Sequence, residues 1–138
     1  MRTIVLSLKP KWAALISSGR KTIELRRRFP RYLADCPALV YESSPKCEVT
    51  ATLRIGAIHE LPVEDLWHVH GEASCVNQEG FATYFQGRDT GLGIEVTEHS
   101  PLNESWKLTR LREEFEFIAP QSWAYAPPRL AEAIRAFS

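Results

Sequence analysis

The sequence predicts an α+β fold: a small mixed sheet of about five to six strands, curled into a barrel, with short helices inserted. Three observations carry this reading. Short runs alternate apolar and polar residues, the period of a strand with one buried face. Between them lie brief segments with apolar residues at helical spacing, and glycine ends three of these. The 138 residues, 44% hydrophobic and 25% charged, show no repeat or linker, so a single domain spanning 1–138 is expected.

Arg2 to Leu8 reads as the first strand, with β-branched Thr3, Ile4 and Val5 at its centre. Pro10 suits the first turn of a helix, and Trp12, Leu15 and Ile16 share one face before Gly19 stops it. Lys21 to Arg28 reads as a basic strand, broken by Phe29-Pro30-Arg31. Ala38 to Glu42 is a short apolar strand followed by a turn at Ser43-Ser44-Pro45. Glu48 to His59 alternates in part, with Gly56 marking a bulge or bend. Val63, Leu66 and Trp67 share a helical face that Gly71 would stop. Phe81, Tyr84 and Phe85 share another, stopped by Gly87. Gly91 to Glu98 alternates as a strand. Trp106 to Phe117 fits a helix or, at its end, a strand. Pro120 to Trp123 reads as a loop, and Arg129 to Phe137 as a closing helix with Leu130, Ile134 and Phe137 on one side.

Formal net charge is zero, but its distribution is lopsided. Between Met1 and Arg31 stand Arg2, Lys9, Lys11, Arg20, Lys21, Arg26, Arg27, Arg28 and Arg31 against Glu24 alone, which leaves +8 there and −8 in the remainder. Such a split favours a polyanionic partner, nucleic acid above all; a solvated basic edge is the plainer alternative. In the basic strand Ile23 and Leu25 would face the core, with Thr22, Glu24, Arg26 and Arg28 outward. A carboxylate held between Lys21 and Arg26 stays ionised and orders both cations.

No apolar run approaches the roughly 20 residues that span a bilayer, so no membrane association is expected. Cys36, Cys47 and Cys75 are an odd count without paired spacing, which reads as a reduced, cytoplasmic protein. His68, His70, Glu72 and Cys75 are close in sequence but match no metal-binding pattern. No metal site and no cofactor are predicted, and divalent-metal dependence and oligomeric state stay open.

Gly19-Arg20-Lys21-Thr22-Ile23-Glu24-Leu25-Arg26 matches, without a gap, the Gly-x-Lys-x-x-Glu-x-Arg motif of ASCH-domain proteins. The Ile4 to Ile16 start, Val40-Tyr41-Glu42-Ser43-Ser44-Pro45 and Ala119-Pro120-Gln121-Ser122-Trp123 resemble further segments of that family in the same order. The resemblance covers most of the chain. It implies a PUA-like barrel with a cleft beside the Gly-x-Lys motif, RNA as the partner and, in one subgroup, cleavage of single strands.

Three functions follow from that resemblance. As an RNA-binding module, the chain would use Lys21, Arg26, Arg27, Arg28 and Arg31 on phosphates, Glu24 to hold the cations in place, and Tyr41 or Trp123 as a stacking surface. As a single-strand ribonuclease it would use Tyr41, Lys46 and Ser122, although the subgroup's lysine falls one residue later, where Cys47 stands. A hydrolase of acetylated cytidine would need Lys21 to activate a threonine at position 24, which here is Glu24. A nucleotide or small-anion sensor built on the Lys21–Glu24–Arg26 group is the non-catalytic alternative.

Overall fold

The computed structural model describes residues 1–136; Phe137 and Ser138, and with them the expected place of Phe137 on the last helix, lie outside the described residues. Six strands form one sheet: β1 (Ile4–Leu8), β2 (Ile23–Arg26), β3 (Pro37–Glu42), β4 (Glu48–Pro62), β5 (Thr90–Lys107) and β6 (Trp123–Tyr125). Their spatial order is β2-β5-β4-β3-β1-β6. Among the described residues only the β1–β3 pair is parallel. Register shifts on β4, between Val49 and Ala51, Thr52 and Arg54, and Ile55 and Ile58, supply the extra twist that curls a sheet. The result is a half-barrel whose edges are β2 and β6.

Five helices cover this sheet: α1 (Pro10–Ser17), α2 (Val63–Ser74), α3 (Gln78–Tyr84), α4 (Leu108–Phe115) and α5 (Pro128–Ala136). Alternation along the strands feeds separate cores. Ile4, Leu6 and Leu8 join Val40, Ala51 and Ile55 inside the curl, where Ala13 and Ile16 of α1 plug it. Val5, Leu39 and Tyr41 face the other way, against Leu111 of α4 and Leu130 and Ile134 of α5. Ile23 and Leu25 of β2 pack on Leu66, Phe81 and Phe85 from α2 and α3. No helix among the described residues is long and apolar enough to cross a membrane.

Several boundaries differ from expectation: Trp123, expected in a loop, opens β6, and β4 runs past His59 to Pro62. Gly71 does not stop α2, which runs on until Cys75 adopts a left-handed conformation (φ 61°). The absent side chain at Gly71 serves packing instead: a Cβ there would come within 2.6 Å of the Trp67 ring. The strand expected to end at Glu98 continues to Lys107 as β5. Glu98, at φ 51°, only interrupts the alternation, as a bulged residue does. The ambiguous stretch after Trp106 resolves as helix α4, closed by left-handed Glu116.

Candidate functional site

The site begins where α1 ends. Gly19 takes φ 82°, which spares the cost a side chain would pay there. The reversal drops Lys21 beneath α1, and Lys21 and Glu24 are 2% and 7% exposed. The Lys21 Nζ donates to the Ser74 carbonyl at 2.7 Å, pairs with Glu24 Oε1 at 3.5 Å and sits 4.7 Å from the Trp12 ring centroid. Ser74 closes α2, so the ammonium also meets the negative end of that helix. Burial still pushes the Lys21 amine below its ordinary pKa, against the pull of Glu24.

Arg26 occupies the other side of Glu24. Its Nε and Nη2 lie 2.8 Å from Glu24 Oε2. Its Nη1 donates to Ser122 Oγ at 2.8 Å, and Nη2 donates to the Ser7 carbonyl at 2.9 Å. Ser7 lies on β1, and Ser122 directly precedes β6. Arg26 on β2 therefore bridges the open seam of the half-barrel with its side chain. Glu24 orients this guanidinium, and the pair, about nine-tenths buried on both sides, is shielded from screening.

A cleft of about 780 Å³ opens above the pair. Lys21, Glu24, Arg26 and Tyr41 line it together. Ser122, expected with them, does not line it and connects to it through the hydrogen bond it accepts from Arg26. The Tyr41 phenol is pushed up to about 12, chiefly by burial and then by its hydrogen bond with Cys47; Arg112 pulls the other way. It is a proton donor throughout the physiological range.

Three sequence-selected residues stand elsewhere. Lys46 does not reach this cleft: it faces a separate hollow and pairs with Glu42 at 3.7 Å. The Ser43–Cys47 turn points Cys47, at φ 54°, toward Tyr41 instead. Trp123 is not a stacking surface in the cleft; its ring packs edge-on against Phe29 and Tyr125. Arg28 is exposed beyond the end of β2 and does not line the cleft. Glu24 points opposite to Ile23 and Leu25, as alternation requires, but that side is the inside of the curl and not solvent: Glu24 pairs across from Ile94, a core residue there, and is buried.

Trp12, Tyr84 and Arg112 also line the cleft. Trp12 reads as a core residue from helical spacing, and its position next to Pro10 was the available hint of a helix N-terminal lip. Arg112 comes from α4, whose sequence gives no link to β2 or β3. Among the described residues no group of three or more His, Cys, Asp or Glu could hold a metal ion. His68 is exposed and His70 stacks on His59 at 4.8 Å.

The family model of the ASCH domain matches residues 6–127. The chain is 30% identical over 119 residues to the ASCH domain-containing ribonuclease of Zymomonas mobilis, covering 86% of this chain and 80% of that protein. The crystal structure of ASCH from Zymomonas mobilis superposes with a TM-score of 0.89 at 26% identity, over 98% of this chain and 94% of that one. The N-terminal domain of Staphylothermus marinus McrB shares the fold, with a TM-score of 0.63 at 12% identity over 99% of this chain and 94% of that domain. Structures of Ser→Ala and Tyr→Phe mutants of the Zymomonas protein match with TM-scores of 0.88 and 0.89.

Proposed function

The chain belongs to the ASCH-domain family, and we propose that it binds single-stranded RNA in the Arg26 cleft and cleaves it there. The observation that carries this reading is the joint placement of a fixed guanidinium and a buried, protonated phenol on one cleft. The guanidinium suits a phosphate as a fixed positive charge, its N–H groups being held by Glu24, Ser7 and Ser122. Trp12 and Tyr84 offer rings at the cleft wall for unstacked bases. Duplex RNA keeps its bases stacked, so such rings select single strands.

Cleavage proceeds by attack of a 2′-hydroxyl on the neighbouring phosphorus. The O2′–P bond forms, the P–O5′ bond breaks, and the departing O5′ takes the Tyr41 proton. The 2′-hydroxyl proton passes to water, and water reprotonates the Tyr41 phenolate. Arg26 balances the charge that grows on the non-bridging oxygens. The two oxygens of Glu24 are held by Lys21 and Arg26. Ser122 accepts from Arg26 and keeps its own hydroxyl proton free for a phosphate oxygen. In the Zymomonas protein the substituted tyrosine and serine stand at its positions 47 and 128, 81 apart, as Tyr41 and Ser122 do here. That spacing supports the same pair here. Glu24 supplies no hydroxyl nucleophile, which disfavours hydrolysis of acetylated cytidine.

The test is a labelled single-stranded RNA, with its duplex as control, incubated with wild type, Tyr41→Phe and Ser122→Ala. Loss of one general acid lowers cleavage about 10²–10⁴-fold, so Tyr41→Phe should lose cleavage by that factor while RNA binding stays within about twofold. Equal product from wild type and Tyr41→Phe, or equal cutting of the duplex, refutes the reading.

A further inference from the structure

A second hollow, about 210 Å³, lies on the other side of the Ser43–Cys47 turn from the cleft. Leu8 lines both. Tyr41 and Glu42 are consecutive on β3, so their side chains leave opposite faces of the strand: Tyr41 enters the cleft and Glu42 enters this hollow. At about 30 Å³ of liquid volume per water, the hollow has room for about seven waters. That suits one planar heterocycle.

Its chemistry is selective. Ala13, Ile16 and Val40 give an apolar floor, and Glu42, Lys46 and His99 are the ionisable groups. Glu42 is 8% exposed, and its one described ion-pair partner, Lys46, stands 3.7 Å away, beyond hydrogen-bonding reach. Burial lowers the His99 pKa, so His99 is neutral at neutral pH and leaves Glu42 uncompensated from that side. The hollow thus presents one cationic donor beside two carboxylate acceptors.

We propose that this hollow is a base-specificity subsite, taking a guanine from the RNA strand that passes over the Ser43–Cys47 turn. The proposal rests on the RNA reading above and adds to it a sequence preference. Guanine's pairing edge carries the oxygen O6 followed by two adjacent donors, N1–H and the N2 amino group. Lys46 meets O6, and the two Glu42 oxygens meet the two donors. Uracil flanks its single donor with two carbonyl oxygens, which Glu42 repels. Cytosine and adenine each place an acceptor nitrogen beside their amino group, so each leaves one Glu42 oxygen facing a lone pair. Lys46 is then a specificity residue and not a catalytic one.

The test uses single-stranded oligouridines that carry one guanosine, adenosine or cytidine, with cleavage read by product length and binding by fluorescence anisotropy. One bidentate base contact discriminates by roughly tenfold or more, so wild type should prefer the guanosine substrate by about that factor. Glu42→Gln turns one acceptor into a donor and should bring the guanosine-to-adenosine ratio to within about twofold. Ala14→Leu, which fills the hollow from α1 without touching its charges, should do the same. It keeps the test alive if Glu42→Gln fails to fold. A wild type without base preference, or a preference that survives both variants, overturns the subsite. If no RNA is bound or cut, the RNA reading itself falls and the subsite with it.

Discussion

Arg26 should act as the bolt across the barrel seam, and Arg26→Ala measures its strength. The backbone ladder does not join β2 to β6 among the described residues; one guanidinium spans them. Removing it frees Glu24, whose side chain is 9% exposed, leaving Lys21 as its remaining cation at 3.5 Å. A hydrogen bond to a charged group contributes about 1.5–3 kcal/mol. Ser7 lines the cleft and Ser122 is half-buried, so their acceptors regain water and add roughly 0.5–1.5 kcal/mol together. Release of the ordered arginine side chain returns about 1–2 kcal/mol. The balance is a loss of about 2 kcal/mol, the centre of a range from about 0 to 3.5 kcal/mol. For a chain of this size that lowers Tm by roughly 6–8 °C. Arg26→Lys keeps the charge beside Glu24 but cannot reach both strands, so it should fall between. Calorimetric melts at neutral pH and low salt provide the assay. An Arg26→Ala protein melting within about 1 °C of wild type would refute the seam argument.

Other outcomes follow from burial and charge. His70 has its pKa lowered by burial and then by the His59 charge, so below pH 6.5 the unfolded chain binds its proton first. Stability should be full above pH 6.5 and fall as pH drops, and His70→Gln should flatten that slope in urea titrations between pH 5 and 7; a steeper slope would contradict the sign. Gly71→Ala would raise helix propensity by about 1 kcal/mol in an open helix. The 2.6 Å approach to Trp67 should reverse this into a net loss of about 1–2 kcal/mol, seen as a lower urea midpoint, and a raised midpoint would place Trp67 elsewhere. Arg27 and Arg28 are exposed beside the cleft. Replacing either by Ala should reduce the log–log salt slope of RNA binding by about 0.7, and an unchanged slope would remove that arginine from the phosphate path.

Much of this was legible because the decisive signals are local. Gly19 marks the turn into the basic strand, and the Lys21–Glu24–Arg26 spacing survives as geometry. Pro10, Gly87 and the Ile94–Val96 alternation place their elements within a few residues. The misplacements came from long-range packing. Trp123 looks like a stacking residue until Phe29, 94 positions earlier, claims its ring. Lys46 and Cys47 differ by one position, and the turn that separates them sends one to each hollow. Arg112 reaches the cleft only because α4 packs against β5 on the far side of β3, a neighbourhood no local pattern encodes.

The buried lysine has a consequence for how such a cleft can change over evolutionary time. Two opposing influences set the charge of Lys21: burial, which favours the neutral amine, and Glu24, which favours the ammonium. Position 24 is therefore a chemical selector. With glutamate there, the cleft floor is a fixed ion pair that steers Arg26. With a neutral side chain, the first opponent of burial disappears, and the same lysine drifts toward a free amine able to take a proton. One codon at position 24 would move this scaffold from electrostatic steering toward base chemistry while leaving its hydrophobic clusters intact.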